Sequence, residues 1–192
     1  METFNDLPVI SFKDSTAWEA WLSTNVTLHS GIWLKIAKKK SGVESISHPE
    51  ALDVALCYGW IDGLRRSFDE VYFLQKFTPR RSRSLWSKIN IEKVGMLIAS
   101  GRMQASGLTE ITAAKADGRW DVAYESQKNA TIPPDLAAAF KKNTRAKEFF
   151  ESLNNANQYA VLWRLMTAKT PETRLSRLQK LLDVLERGEK FH

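Results

Sequence analysis

Residues 47–77 read S-H-P-E-A-L-D-V-A-L-C-Y-G-W-I-D-G-L-R-R-S-F-D-E-V-Y-F-L-Q-K-F, and this stretch decides the fold class. Ser47 and Glu50 have capping-box spacing, which opens a helix that runs through Tyr58 and that Gly59 terminates. The helix is apolar nearly all round, so it belongs in a core. Ile61–Phe68 and Val71–Phe77 then predict two strands, joined at Asp69–Glu70 as a hairpin. Helix and hairpin together predict α+β.

Outward from that stretch the pattern extends in both directions. Asp14–Asn25 predicts a helix with Ser15 or Thr16 near its N-cap and with Trp18, Trp21 and Leu22 on one face. Gly31–Ala37 alternates as a strand does, and Lys38–Lys40 with Ser41–Gly42 supplies a water-exposed turn. Downstream the signal is helical. Asn90 suits an N-cap for a helix closing at Gly101, and Ser106–Ala116 is stopped by Gly118. Pro133–Pro134 opens another helix, Asn143 caps one reaching Leu153, and Tyr159–Ala168 follows. Thr170-Pro171-Glu172 starts the last, which runs to Arg187 with Leu175, Leu178, Leu182 and Leu185 as its stripe and Arg174, Arg177 and Lys180 on its flanks. The polar segment Asp121–Thr131 is the boundary. The reading is a mixed α+β portion over 1–120 with a small antiparallel sheet, then a helical portion over 130–192, the two packed as one unit.

Composition excludes more than it assigns. With 192 residues, 43% apolar and 26% charged, the chain is an ordinary globular protein rather than a disordered or fibrous one. A single cysteine, Cys57, excludes a disulfide framework, and its apolar neighbours predict a buried, inert thiol. His29, His48 and His192 are scattered, so neither a metal nor any other cofactor is expected; His48 reads as a capping or surface residue. The acidic start Met-Glu-Thr-Phe-Asn-Asp lacks the pattern of an export signal, and no apolar run approaches the roughly 18 residues of a membrane span. The expected compartment is the cytoplasm. A net charge of +6 and a pI near 9.4 favour an anionic partner, either a small molecule or a nucleic acid.

The least ordinary stretch is K-F-T-P-R-R-S-R-S-L-W-S-K-I-N, residues 76–90. No acid falls between Glu70 and Glu92, whereas Lys76, Arg80, Arg81, Arg83 and Lys88 all do. Proline and serines predict a loop running from a strand end into a helix N-terminus, where free N–H groups and guanidinium forks make an anion site. The expected ligand-binding set is Trp60, Asp62, Arg80, Arg83, Ser84, Trp86, Lys88 and Asn90, with Trp86 stacking on a planar ligand. Asp62, between Gly59 and Gly63, suits a general base, a partner for an arginine of this loop, or a structural salt bridge. No nucleophile–base pair or cofactor fingerprint is visible, so no catalytic residue is expected. Trp18, Trp21 and Trp163 fall on apolar helical faces and are expected in the core, whereas Trp33, Trp60, Trp86 and Trp120 are expected to line a surface cleft.

Five blocks in order resemble one family: A-L-D-V-A-L-C-Y-G-W-I-D-G (51–63), F-T-P-R-R-S-R-S-L-W-S-K-I-N (77–90), G-R-M-Q-A-S-G-L (101–108), A-K-A-D-G-R-W (114–120) and A-K-T-P-E-T-R (168–174). They are similar to the YdeI/OmpD-associated, or bacteriocin-protection, family. That resemblance implies tolerance of bacteriocins and antimicrobial peptides and association with an outer-membrane porin. It carries no catalytic residues onto this chain. The function expected is non-enzymatic stress or antimicrobial resistance with an anionic ligand on the basic-aromatic loop. The alternatives are RNA binding, an enzyme acting on a phosphorylated or carboxylated small molecule (Asp62 as base, Arg80 or Arg83 as clamp), and a protein partner on the C-terminal helices.

Overall fold

The structure is a computed structural model that describes residues 2–190; Met1, Phe191 and His192 lie outside the described residues, and the expectation for His192 with them. Two compact units form: one from the residues up to Ser84 together with Asn90–Trp120, the other from Leu85–Ile89 and from Asp121 onward. The fold is α+β, with a small sheet in the N-terminal part and, among the described residues, six of the eight helices after its last strand.

In the first unit, strands β1 (Thr3–Phe4), β2 (Leu7–Ile10), β3 (Ile32–Ala37), β4 (Trp60–Ser67) and β5 (Tyr72–Pro79) pair in the order β1-β2-β3-β5-β4. Asn5 and Asp6, both at positive φ, turn β1 into β2; these two residue types tolerate the left-handed region that a two-residue hairpin loop demands. Between β2 and β3 runs helix α1 (Ser15–Asn25), and that crossover makes β2 and β3 parallel. The sheet is therefore mixed where an antiparallel one was expected. The N-cap of α1 is Asp14 rather than Ser15 or Thr16: its backbone is extended and its carboxylate accepts from the Ala17 N–H at 2.8 Å.

Helix α2 (His48–Cys57) carries the capping box as read, and Gly59 ends it at φ +77. Its apolar face meets Trp18, Leu22, Ile32, Leu34 and Phe77 in the main core. Cys57 lies buried, and burial pushes its thiol up to about 11, so it stays protonated and unreactive. Strand β3 is buried on both faces, because Trp33 points away from that core into a smaller cluster with Val9 and Leu74. Trp33 and Trp60 are thus core residues rather than cleft residues. Trp60 donates its indole N–H to the Val26 carbonyl at 3.1 Å, which satisfies its polar edge inside the core.

Helices α3 (Lys88–Ala99) and α4 (Ala105–Ala116) follow. Asn90 lies inside α3, not at its cap, since the backbone already turns helical at Lys88, whose N–H bonds the Tyr124 carbonyl at 3.0 Å.

The second unit packs α5 (Pro134–Lys142), α6 (Thr144–Ser152), α7 (Asn155–Met166) and α8 (Pro171–Glu186) around Leu136, Phe140, Phe150, Val161, Leu165, Leu181 and Leu185. The inward stripe of α8 is Leu178, Leu181, Leu182 and Leu185; Leu175, expected in it, is 69% exposed because it lies beyond that face. Asp135 receives Arg174 in a fork, Nε at 2.6 Å and Nη2 at 2.8 Å, while Nη1 donates to the Leu165 carbonyl. The Arg174 hydrogen bond is the main cause that holds the Asp135 carboxyl below its usual range. A folded value below the unfolded one, about 3.9 for Asp, stabilises the fold above the unfolded value and loses that contribution as pH falls through the folded one. Asp135→Asn is expected to lower the thermal midpoint at pH 7, by an amount worth under about 1 kcal/mol at this exposure, and to leave it nearly unchanged at pH 2. An equal loss at both values, in paired melting curves, would show that the pair's charge is not the cause.

Candidate functional site

The site begins with a register shift. On β4, Asp62 pairs with Phe77 and Arg65 pairs with Gln75, so Gly63 and Leu64 together oppose the single residue Lys76. In a regular strand, residues three apart point to opposite faces. The extra residue of this β-bulge puts Asp62 and Arg65 on the same face, the one carrying Phe73, Gln75 and Phe77. Gln75, 2% exposed, holds the bulge: its Nε2 donates to the Gly63 carbonyl at 2.8 Å and the Leu64 carbonyl at 3.3 Å, and its Oε1 accepts from Arg65 Nε at 3.1 Å. The Arg65 guanidinium also lies over the Phe73 ring, 4.5 Å from its centroid. Among the described residues, the Nη groups of Arg65 have no protein partner.

Asp62 fixes a second group. Its Oδ2 lies 2.9 Å from His48 Nε2, at the first residue of α2. That contact orients the imidazole and explains Asp62 as a partner of His48 rather than of the Arg80–Arg83 loop. Of the other acid nearby, Glu50, the carboxylate is turned onto the Ser47 hydroxyl and N–H, bonds that lower its pKa.

Lys38, Lys39, His48 and Arg65 line one cleft of about 460 Å³, floored by Ile36 and Phe73. Lys38 Nζ donates to the Asp69 carbonyl at 2.6 Å; Lys39 has no acidic partner among the described residues. No carboxylate lines the cleft. Guanidinium, ammonium and imidazole groups converging on an apolar floor suit an anion, which they would bind by charge-assisted hydrogen bonds. Among the described residues no cluster of His, Cys, Asp and Glu could hold a metal ion, and no helix is long and apolar enough to cross a membrane.

The set expected from sequence is dispersed. Trp60 is fully buried, and Arg80, Trp86 and Asn90 are 6%, 2% and 9% exposed. Trp86 therefore presents no open face for stacking, contrary to the cleft expected for it, and Trp120 is only half-buried. Arg83 and Lys88 are exposed and Ser84 half-buried; Trp86 and Lys88 belong to the second unit, where Lys88 pairs with Glu125 at 2.6 Å. The turn at 81–84 is closed by Arg81 N–H to Ser84 Oγ at 3.0 Å and pinned by Arg119, which donates to the Ser84 carbonyl at 2.9 Å and is neutralised by Asp117. Asp62 does not line the cleft, but it is the one member of the set that contacts a lining residue, through His48. Lys39, His48, Arg65 and Gln75 were missed; the available signal was Gly63 inside a strand, which marks a bulge.

Residues 10–110 match the family model described as a domain of unknown function (DUF8412), and residues 129–188 match the one described as bacteriocin-protection, YdeI or OmpD-associated. No curated protein and no solved structure matches the chain.

Proposed function

From the premise that the chain belongs to the bacteriocin-protection, YdeI or OmpD-associated family through residues 129–188, and to that of DUF8412 through residues 10–110, we propose that it is a non-enzymatic protein of stress or bacteriocin resistance that binds a small anion in the cleft of its first unit. The observation that carries this reading is the bulge, which aims Arg65 at the same cleft as His48, Lys38 and Lys39 with no carboxylate in the lining.

Calorimetric titration with inorganic pyrophosphate at low salt tests it. Lys39→Ala combined with Arg65→Ala is expected to weaken binding at least tenfold, equivalent to about 1.4 kcal/mol, and Arg81→Ala combined with Arg83→Ala to leave it unchanged. The opposite pattern moves the anion to the exposed turn at 81–84, a second reading that the exposure of both arginines favours. Absence of binding by the unaltered protein overturns both.

The charge of +6 favours RNA as an alternative ligand, whose affinity would fall steeply with salt. The His48–Asp62 contact favours an enzyme acting on a phosphorylated or carboxylated small molecule. Asp62→Asn that keeps pyrophosphate affinity but abolishes a measured turnover would establish that alternative.

A further inference from the structure

Helices α7 and α8 of the second unit carry another basic recess, distinct in its residues from the cleft above. A groove of about 380 Å³ is lined by Trp163, Arg164, Arg177, Lys180 and Leu181. Trp163 was expected in the core, yet it is 38% exposed: the face of α7 that packs inward is Val161, Leu162 and Leu165, and Trp163 falls outside it. Its ring lies edge-on to that of Tyr124, with the centroids 6.3 Å apart. Arg177 is anchored through Nη1 alone, which donates to the Arg164 carbonyl at 2.7 Å and Thr167 Oγ1 at 3.2 Å at the end of α7. That anchorage fixes the guanidinium plane and leaves Nε and Nη2 without a protein partner among the described residues. Lys180 stands three residues on, hence on the same side of α8, and has no acidic partner among the described residues; Asp183, the nearest acid along the helix, accepts instead from Gln179 Nε2 at 3.0 Å. Buried Leu181 forms the floor.

An indole with a partly open face beside three cations and no lining carboxylate has the chemistry to take an aromatic base and the phosphate attached to it. The volume suits one nucleotide. We propose that this groove is a nucleoside-phosphate site, in which the base stacks on Trp163 and the phosphate is held by Arg177 and Lys180. The ligand is either a free nucleotide or one nucleotide of a single strand. The groove and the anion cleft share no residue, so each can bind without the other.

The full chain is titrated with adenosine 5′-monophosphate, adenosine, and a short oligoadenylate, with heteronuclear shifts of the tryptophan indole N–H signals as the readout. Adenosine 5′-monophosphate is expected to move the Trp163 signal and to bind at least tenfold more tightly than adenosine. Trp163→Leu and, separately, Lys180→Glu are each expected to weaken it at least tenfold, whereas the Lys39/Arg65 double variant leaves it unchanged. Both substituted side chains are exposed, and Lys180→Glu tests the site even if Trp163→Leu perturbs α7. Similar affinity for oligomer and mononucleotide identifies a free nucleotide; a much tighter, salt-sensitive oligomer identifies a strand. Equal binding of adenosine and its monophosphate, affinity indifferent to Lys180→Glu, or no movement of the Trp163 signal overturns the proposal.

Discussion

Gly107→Ala is expected to destabilise the first unit by about 3 kcal/mol or more, the upper end of the cost of overpacking. Helix propensity alone predicts the opposite sign, since alanine in a helix is favoured over glycine by about 1 kcal/mol. The neighbourhood decides it. A Cβ at Gly107 would lie 2.2 Å from the Cys57 carbonyl oxygen and 2.9 Å from its carbon, with Met103 Cε at 2.7 Å. Met103 can swing aside. The Cys57 carbonyl cannot, because it closes α2 and accepts the Gln104 N–H at 3.1 Å, a bond that ties the start of α4 to the end of α2. Relief requires α4 to lift away from α2, and the apolar contacts around buried Ile111 and Ala114 would loosen with it. Gly95→Ala is the control: it lies within α3 with open space around its Cβ position, so it is expected to stabilise by about 0.5–1 kcal/mol. Denaturant midpoints of the two variants on opposite sides of the parent support the argument. Two variants shifted in the same stabilising direction would show that α2 and α4 do not pack this closely.

Gln75→Leu is expected to lose both stability, by about 1–3 kcal/mol, and at least tenfold in pyrophosphate affinity. The substitution keeps the volume and removes the side-chain hydrogen bonds that Gln75 makes to the bulge. The Gly63 and Leu64 carbonyls lose their donor, and Arg65 Nε loses its acceptor. The stability cost is moderated because Gly63 and Leu64 are exposed residues, where water can replace a lost donor. Arg65 keeps only its stacking on Phe73, so the guanidinium regains rotational freedom and binding must order it again. Denaturation and calorimetry on the same preparation separate the two effects. Stability lost with affinity intact would mean that Gln75 supports the sheet but does not position Arg65.

Much of the fold is legible because its signals are local. The capping box at Ser47–Glu50, the turn at Asp69–Glu70, proline at the start of α8 and the Asn143 cap each act within four residues, and the helices and hairpin form where those signals stand. Local chemistry also misleads where two neighbours compete. Asp14 outranks Ser15 as the cap because its carboxylate reaches the Ala17 N–H from an extended backbone. The positive-φ pair Asn5–Asp6 was readable as a hairpin loop, but strands two and four residues long leave little alternation to notice.

The candidate site was far less legible. Its residues come from the turn after β3, the first turn of α2 and two strands, and no sequence window contains Lys39, His48, Arg65 and Gln75 together. The basic run at 76–90 is contiguous, yet contiguity in sequence says nothing of burial: Arg80 and Trp86 are inside, and only part of the run faces water.

By itself the sequence determined the α+β class, most element positions, the basic charge and the family resemblance of the chain. These follow from periodicity, capping and composition, which act over a few residues or sum over all of them. Tertiary structure decided the parallel β2–β3 pair, which tryptophans are core, and which cations share a cleft. Those depend on sheet register and side-chain facing, and one inserted residue in β4 is enough to reverse the face that Arg65 takes.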